Sequence, residues 1–513
     1  MTYYSLFRIF NSSQSKFLSF SNHFPKQVLI ISLMNKKKLE ILLIRHPTTF
    51  TTGTIAESVA IPVGLLSIAS YVEKKGFQVE VYDANIEFNL DELNKSSERY
   101  LIGASWQNIE KRISSKNYDV VGISNIFYAQ LPDAIQTARI VKKVLPESIL
   151  VIGGPHSSAA GEEILREVPE IDIAVAGEGE ITFSEILEWK LGMCDIASIR
   201  GISYRKNGQV VTNQRQGLIN NLDKLPMPAY HFVDIEKYFK SVEFKKGKWV
   251  LKEHKVFPIL TSRGCPYGCV FCTIHLHMGR RMRYHGIQYV LNNINYVIDN
   301  FAVQHFHFID DNVSMDRDRF IGILKGIIEL NKSGYNIVWQ TPNGTRVDTL
   351  DEETLKLAKE SGLKSIILSV ESGDQMVLDN VIHKKLLLEK VLEVASLCKK
   401  LKIKAKAGFI MGLPGETKES FKKTVQFAKM LQDKFGIKSA ITTATPYRGT
   451  KLYDICVEKN YLTRPMTPEI AARFNQGEGI IQTEDFTIED VKKYRLEFER
   501  KSGLFTKLLR LFS

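Results

Sequence analysis

"TSRGCPYGCVFC", Thr261 to Cys272, gathers three cysteines into eight residues, as Cys265, three residues, Cys269, two residues, Cys272. Thiolates at this spacing collect soft metals. A structural zinc site needs four ligands, and the following "CTIHLH" offers His275 or His277 as the fourth. An iron–sulfur cubane usually takes four thiolates, so three leave one iron open to a small molecule. The stretch before the cysteines, "VFPIL" (256–260), reads as a short buried strand, so the cysteine loop sits directly after a strand end.

That strand opens a series. Further strand patterns are "HFHFID" (305–310), "NIVWQ" (336–340), "KSIILSV" (364–370), "IKAKAGFIM" (403–411) and "IKSAITTA" (437–444), with helical patterns such as 351–361 and 417–435 between them. Six strand–helix units over 256–445 predict a partial (β/α)6 barrel of the TIM type, with its site at the carboxyl ends of the strands. In the second strand, alternation puts Phe306 and Phe308 on one side and His305 and His307 on the other.

The first third of the chain also alternates strand and helix. Apolar runs stand at "EILLIR" (40–45), "QVEVYD" (78–83), "DVVGIS" (119–124), "SILVIGG" (148–154) and "DIAVAG" (172–177). The helical pattern at 61–76 has Pro62 near its first turn and Gly76 past its last; 131–146 is similar. Strands apolar throughout and alternating with helices predict an α/β domain over 39–185, a doubly wound parallel sheet with its ligand at the strand ends. Three loops mark that edge: Ser124-Asn125, then Gly153-Gly154-Pro155 in "GGPHS", then Gly177-Glu178-Gly179-Glu180. Glycine after a strand lets backbone approach a ligand closely. No GxGxxG opens the first helix, which disfavours a dinucleotide. Residues 186–255 read as a connector, with two prolines in "LDKLPMPAYHFVD", and 446–513 as a small C-terminal segment.

Composition bounds the rest. The chain has 513 residues, 44% hydrophobic and 25% charged, as in globular proteins. Its +12 formal charge is spread along the chain, and no basic–aromatic stripe suggests nucleic acid. Six cysteines, three of them isolated at 194, 398 and 456, form no disulfide framework and fit a reducing cytoplasm. Residues 1–38 are expected to be a disordered extension, with Met34 as an alternative start. "VLIISLM" (28–34) falls short of the ~20 apolar residues of a membrane span. The terminal "LFTKLLRLFS" is basic and amphipathic, which allows weak membrane contact, although a packed helix is the preferred reading.

The cysteine spacing, with the aromatic Phe271 just before Cys272, resembles the motif of the radical S-adenosylmethionine superfamily. That resemblance implies a 4Fe-4S cluster held by Cys265, Cys269 and Cys272, its open iron chelated by S-adenosylmethionine. Reductive cleavage then gives a 5′-deoxyadenosyl radical, and an external electron donor such as flavodoxin or ferredoxin is required. It also implies cofactor-binding roles for Phe271; for Asp310 or Asp311 in "FHFIDDN", accepting from the amino group; for Arg346 in "PNGTRV", facing the carboxylate; for Glu371 in "SVESG", on the ribose; and for Gly408, Ile410 and Gly412 in "GFIMGLPGET", beside adenine.

The N-terminal layout, with "IPVGLLSIASYVEKKGFQVEVYDAN" and the "GGPHSS…GEGE" loops, resembles flavodoxin-like cobalamin-binding domains. The pair of domains resembles the cobalamin-dependent radical enzymes related to magnesium-protoporphyrin ester cyclase and hopanoid methylases. The cobalamin-domain loop Asp-x-His-x-x-Gly is absent; in "RHPTTFTTGT" the lone His46 reads as a loop histidine, so no histidine is expected on cobalt, and His156 approaches the corrin without ligating it. The resemblance implies methylation of an unactivated carbon of a small molecule (a lipid, a tetrapyrrole or a natural product), with radical cyclisation or rearrangement as the alternative. A zinc-stapled cobalamin carrier is the non-enzyme alternative. A methylthiotransferase is disfavoured because no cysteine precedes Cys194. Trp339, Tyr447 and Phe474 are candidate substrate-pocket aromatics.

Overall fold

The computed structural model describes residues 39–51, 59–95, 99–245, 248–473 and 479–501. The expectations for 1–38, Phe474 and the "LFTKLLRLFS" tail lie outside them. Residues from Leu39 onward belong to one compact unit containing two large sheets.

In the first sheet the five expected strands appear as Ile41–Arg45, Val79–Asp83, Val120–Ser124, Ile149–Gly153 and Ile173–Val175. They are parallel, with the second strand outside the first and the others following in turn. That order, 2-1-3-4-5, is the flavodoxin-like one and puts a topological switch point between Ile41–Arg45 and Val120–Ser124. Alternation along the first strand decides the layering. Leu42 and Ile44 pack with Ala134, Ala138 and Val141 of the helix Leu131–Val144. Leu43 packs on the opposite face with Leu65, Ala69 and Val72 of the helix Val63–Lys74. Burying each of these leucines or isoleucines contributes about 1.5–3 kcal/mol relative to exposure.

The sheet does not stop at 185. Ile202–Lys206 and Gln209–Thr212, from the stretch read as connector, add an antiparallel hairpin to its edge. The hairpin turns on Asn207-Gly208, both at positive φ (51° and 79°), the backbone that a two-residue turn between right-twisted strands requires. A second hairpin, Lys240–Lys245 with Lys248–Glu253, also lies within the expected connector.

The second sheet has six parallel strands in chain order: Phe257–Ile259, His305–Phe308, Val338–Arg346, Leu363–Glu371, Ala405–Met411 and Lys438–Thr443. The first and last do not pair, so it is an open, partial barrel. Phe306 and Phe308 are buried in the apolar layer that holds Ile323, Leu324 and Ile327 of the helix Arg317–Lys332. Trp339 belongs to the same layer. It is fully buried against Phe308 and Phe320, and its indole N–H donates to Ser361 Oγ at 3.0 Å. It is therefore core and lines no pocket, contrary to the expectation from sequence. The third strand runs six residues past its expected end, carrying "TPNGTR" into the sheet across an irregular register between Thr341 and Thr345. From the C-terminal segment, the helix Ile488–Lys501 lies beside the last strand, where Arg495 Nε donates to the Ile441 carbonyl at 3.0 Å. Among the described residues no helix is long and apolar enough to cross a membrane.

Candidate active site at the facing strand ends

The cysteine loop leaves the first barrel strand held by one buried acid. Asp310 accepts from Thr261 N–H (3.1 Å), Thr261 Oγ1 (2.7 Å) and Ser262 Oγ (2.5 Å) and is 2% exposed. Its carboxylate braces the loop, so of the two acids read as amine acceptors it is not the open one. Asp311 faces the site: it receives the Gly264 N–H and its charge acts on Cys265 and Cys272. Burial and the neighbouring Asp310 push its carboxyl up to about 7. Gly264 has φ +94° and a Cβ there would stand 2.5 Å from the Arg281 carbonyl, so this turn requires glycine.

Cys265, Cys269 and Cys272 are free and half-buried. Burial pushes all three thiols up, Cys272 to about 12, while Arg346 and Lys384 pull Cys265 and Cys269 back down. Three unpaired sulfurs on one loop with two cations beside them suit an anionic thiolate cluster. Among the described residues no set of three His, Cys, Asp or Glu stands preassembled around a metal. The fit to a cluster rests on this loop and its three free sulfurs, not on finished coordination geometry. His275 turns Nδ1 to the Cys272 carbonyl at 3.1 Å. Phe271 packs on the barrel's apolar core.

The other barrel positions converge on the same mouth, mostly already paired. Arg346 is bound to Asp348 (2.7 Å) and to the Lys384 carbonyl, and its guanidinium lies 3.4 Å from the centre of the Tyr267 ring. These contacts engage Nε and Nη2 and hold the guanidinium against the cysteine loop. Glu371 sits at φ +75°, a strained conformation for a side-chain-bearing residue, and pairs with Lys384 Nζ at 2.9 Å. Lys384, 4% exposed, was not singled out in the sequence; it is the cation that a ligand at Glu371 would meet. On the fifth strand, alternation turns Gly408 and Ile410 away from the helix layer. Gly412 and Leu413 N–H both donate to Glu416 Oε2 at 2.8 Å. Glu416 is fully buried with its other oxygen unpaired, and burial pushes its carboxyl up to about 8. It closes the "GLPGET" turn as a neutral acid.

The first sheet's edge differs: several of its buried side-chain polar atoms lack partners. Asn125, at the switch point, has 0% exposure and both its amide oxygen and nitrogen are unpaired. Ser124 ends the strand beside it and pairs in register with Gly153. Gly154 has φ +117° and would put a Cβ 2.3 Å from the Asn125 carbonyl, so only glycine allows the close pass into the helix opened by Pro155. His156 is buried, its Nε2 unpaired, its ring 4.8 Å from Tyr128, and burial lowers its pKa to about 4. His46, at the end of the first strand, holds Nδ1 on the Pro47 carbonyl (2.7 Å) and leaves Nε2 unpaired; burial lowers its pKa too. Ile126 and Phe127 are exposed apolar side chains on the same loop. Orphaned buried polar atoms call for a partner, and a broad ligand with an apolar ring and amide arms, as cobalamin has, fits this set.

The "GEGE" loop does something else. Gly177 turns at φ +94° and Gly179 begins the next helix, but the side chains of Glu178 and Glu180 reach the barrel. Arg263, two residues before Cys265, bonds Glu178 at 2.8 Å and Glu180 at 2.6 Å; Arg283 bonds Glu178 at 2.6 Å. All four side chains are at most 6% exposed. These carboxylates, read as cobalamin-binding, instead fasten the two sheets' strand ends together. Their partners lie 83 to 105 residues away, so no local pattern signals them.

Comparison with known proteins agrees with this geometry. Residues 259–428 match the radical SAM superfamily and 52–187 the B12 binding domain. The chain is 30% identical over 426 residues (83% of it, 85% of the relative) to an uncharacterized methyltransferase of Pyrococcus horikoshii. It is 29% identical over 431 residues (78% of each chain) to the cytidylyl-2-hydroxyethylphosphonate methyltransferase of Streptomyces wedmorensis. It is 28% identical over 327 residues (63% and 56%) to the anaerobic magnesium-protoporphyrin IX monomethyl ester cyclase of Rubrivivax gelatinosus. The fold matches that of the radical S-adenosylmethionine methyltransferase TsrM from Kitasatospora setae, solved with cobalamin and a [4Fe-4S] cluster, at TM-score 0.65 and 16% identity over 83% and 79% of the two chains. With a cysteine loop on a partial barrel fastened to the open edge of a flavodoxin-like sheet, this chain belongs to the cobalamin-dependent radical S-adenosylmethionine enzymes.

Proposed function

We propose that the enzyme methylates an unactivated carbon of a small molecule held between the two strand edges. The observation that carries this is the buried Arg263–Glu178–Arg283 and Arg263–Glu180 fastening, which sets the cysteine loop against the cobalamin-type edge. Bound there, the cluster with S-adenosylmethionine supplies a hydrogen-abstracting radical, and cobalamin supplies a methyl carrier, chemistry that no protein side chain performs.

The chain's own part is position and enclosure. Cys265, Cys269 and Cys272 hold the cluster. Asp311 accepts from the cofactor's amino group, Glu371 from its ribose, and Gly408, Ile410 and Gly412 line the adenine. Lys384, released from Glu371, serves the carboxylate beside Arg346. Asn125, His156 and the backbone of Ser124, Gly153, Gly154 and Gly177 meet the corrin. The cobalamin unit extends from residue 39 to Thr212, through the added hairpin. The six free cysteines favour a cytoplasmic location.

Two methyltransferase relatives support methyl transfer; the cyclase relative supports the second reading, radical cyclisation with the same cofactors. Reduced holoenzyme incubated with methyl-trideuterated S-adenosylmethionine and candidate lipids, tetrapyrroles and phosphonates separates them. Methyl transfer adds the labelled group to the product; a product formed without label belongs to the cyclase reading.

A further inference from the structure

We propose that Arg448 is a positioning residue: through Glu163 it fixes the angle between the cobalamin-type sheet and the cysteine loop. The inference rests on the reading that a corrin and a cluster occupy these two edges.

The barrel sheet is open, because its first and last strands do not pair. The cysteine loop follows the first strand, and Arg448 stands just past the last, which ends at Thr443. The buried Arg263 network ties the sheets together on the cysteine side of this seam. One tie leaves two bodies free to turn about it. A second tie across the seam removes that rotation.

The helix Pro155–Glu167, which starts in the "GGPHS" loop, makes the second tie, because its Glu163 pairs with Arg448. Ala159, four residues earlier, lies on the same helix face. Beside Arg448, Gly449 turns at φ +78°. A Cβ there would stand 2.7 Å from Leu276 Cδ1 and 3.3 Å from Ala159 Cβ. The last barrel loop, the helix from the corrin edge and the short helix Ile274–His277 after Cys272 therefore close on one glycine.

Hydrogen bonds carry this junction into both edges. Toward the cysteines, Leu452 N–H donates to the Val270 carbonyl at 2.9 Å, between Cys269 and Cys272. Arg215 donates to the Leu276 and Ser158 carbonyls, each at 3.2 Å, and so bridges the two helices. Toward the corrin edge, Ser158 Oγ donates to the Gly154 carbonyl and accepts from the Gly177 N–H, each at 2.9 Å.

The two ties differ in burial. The side chains of the Arg263 network are at most 6% exposed, whereas those of Arg448 and Glu163 are 30% and 34% exposed. An ion pair this open adds little to stability, so its loss leaves the fold standing. Its contribution is direction: it holds one cofactor's edge square to the other's.

The readout is the magnetic interaction between the cofactors, which falls with the inverse cube of their separation. Full-length enzyme is loaded with cluster and cobalamin, poised so that each carries one unpaired electron, and measured by frozen-solution electron paramagnetic resonance. Wild type should give one narrow dipolar coupling. Arg448→Glu, which sets two carboxylates face to face, should keep its iron, corrin and thermal midpoint, while the coupling falls about twofold or spreads, as a hinge opened by a few ångström gives. Glu163→Arg in the same chain should restore it. Arg166→Glu, the same charge change at an exposed pair within the same helix, should leave it unchanged. A wild-type coupling in Arg448→Glu, an equal change in Arg166→Glu, or no restoration by the reversed pair overturns the proposal. A wild-type protein that binds no iron or no corrin, or holds both without any coupling, contradicts the reading of the two edges instead.

Discussion

The two strand edges that meet at the site are built on opposite plans. At the flavodoxin-like edge, Asn125, His156 and His46 are buried with polar atoms unpaired. At the barrel edge, Asp310, Arg346 and Glu371 have protein partners before any ligand arrives. A buried unpaired polar group costs about 1–3 kcal/mol, so the first edge carries a cost that a ligand removes. At the second, a ligand at Glu371 would have to displace Lys384. The contrast suits one cofactor that stays and one that turns over: a resident ligand can be part of the folded core, whereas a consumed one needs an edge that is stable when vacated.

The largest test of the contrast is Cys269→Ala. It should bring S-adenosylmethionine cleavage to background and remove the iron while corrin binding, measured by absorbance after gel filtration, stays intact. Loss of both would mean that the edges are not separable. Next is the fastening between them. Arg263→Met leaves Glu180 without its cationic partner in a buried site, which costs about 3–5 kcal/mol; a urea midpoint within error of wild type would show that the network contributes nothing. Asn125→Leu should have opposite signs in the two states. The cobalamin-free protein gains up to about 1–3 kcal/mol because the orphaned amide is gone, and cobalamin affinity falls about tenfold or more. Destabilisation without cobalamin would show that the amide is already satisfied.

At the barrel edge, Glu416 gives a pH signature. Its folded pKa of about 8 lies above the ordinary 4.5, so the folded state holds the proton more tightly. The stability it permits is complete below about pH 4.5 and is lost as pH rises through about 8, with a slope up to about 1.4 kcal/mol per pH unit. Glu416→Gln should cancel that part of the slope in urea titrations between pH 5 and 8; parallel curves for the two proteins would contradict a neutral Glu416. The smallest effect belongs to Trp339→Phe. It should cost about 1–2 kcal/mol for one hydrogen bond and some packing, with Ser361 still donating to the Ala358 carbonyl (2.8 Å). Cofactor binding should be unchanged, because the ring faces the helices.

What the sequence revealed and what it hid divide along physical lines. All eleven expected strands of the two sheets are present, because each is a local apolar run whose burial on both sides or alternate sides is written in consecutive residues. The cysteine loop was readable for the same reason. Three things were not. Whether Asp310 or Asp311 faces the cysteines depends on how the chain bends after Phe308, beyond the strand's regular alternation. Glu178 and Glu180 looked like ligand residues because their partners, Arg263 and Arg283, are remote in sequence. Lys384 follows a π-helical turn, Val377–Ile382, that no periodicity announces. One local signal was there to be read: Asn207-Gly208 between "ISYRK" and "QVVT" marks the hairpin that extends the first sheet past residue 185.

The most direct test of the account needs no substrate. Anaerobically purified, cofactor-loaded enzyme is reduced, given methyl-trideuterated S-adenosylmethionine in the dark, and the corrinoid is extracted for mass spectrometry. Methyl transfer through cobalamin predicts a corrinoid carrying the labelled methyl, with 5′-deoxyadenosine appearing in the same reaction. 5′-Deoxyadenosine with an unlabelled corrinoid would contradict methyl transfer and leave the two edges serving a radical reaction of another kind.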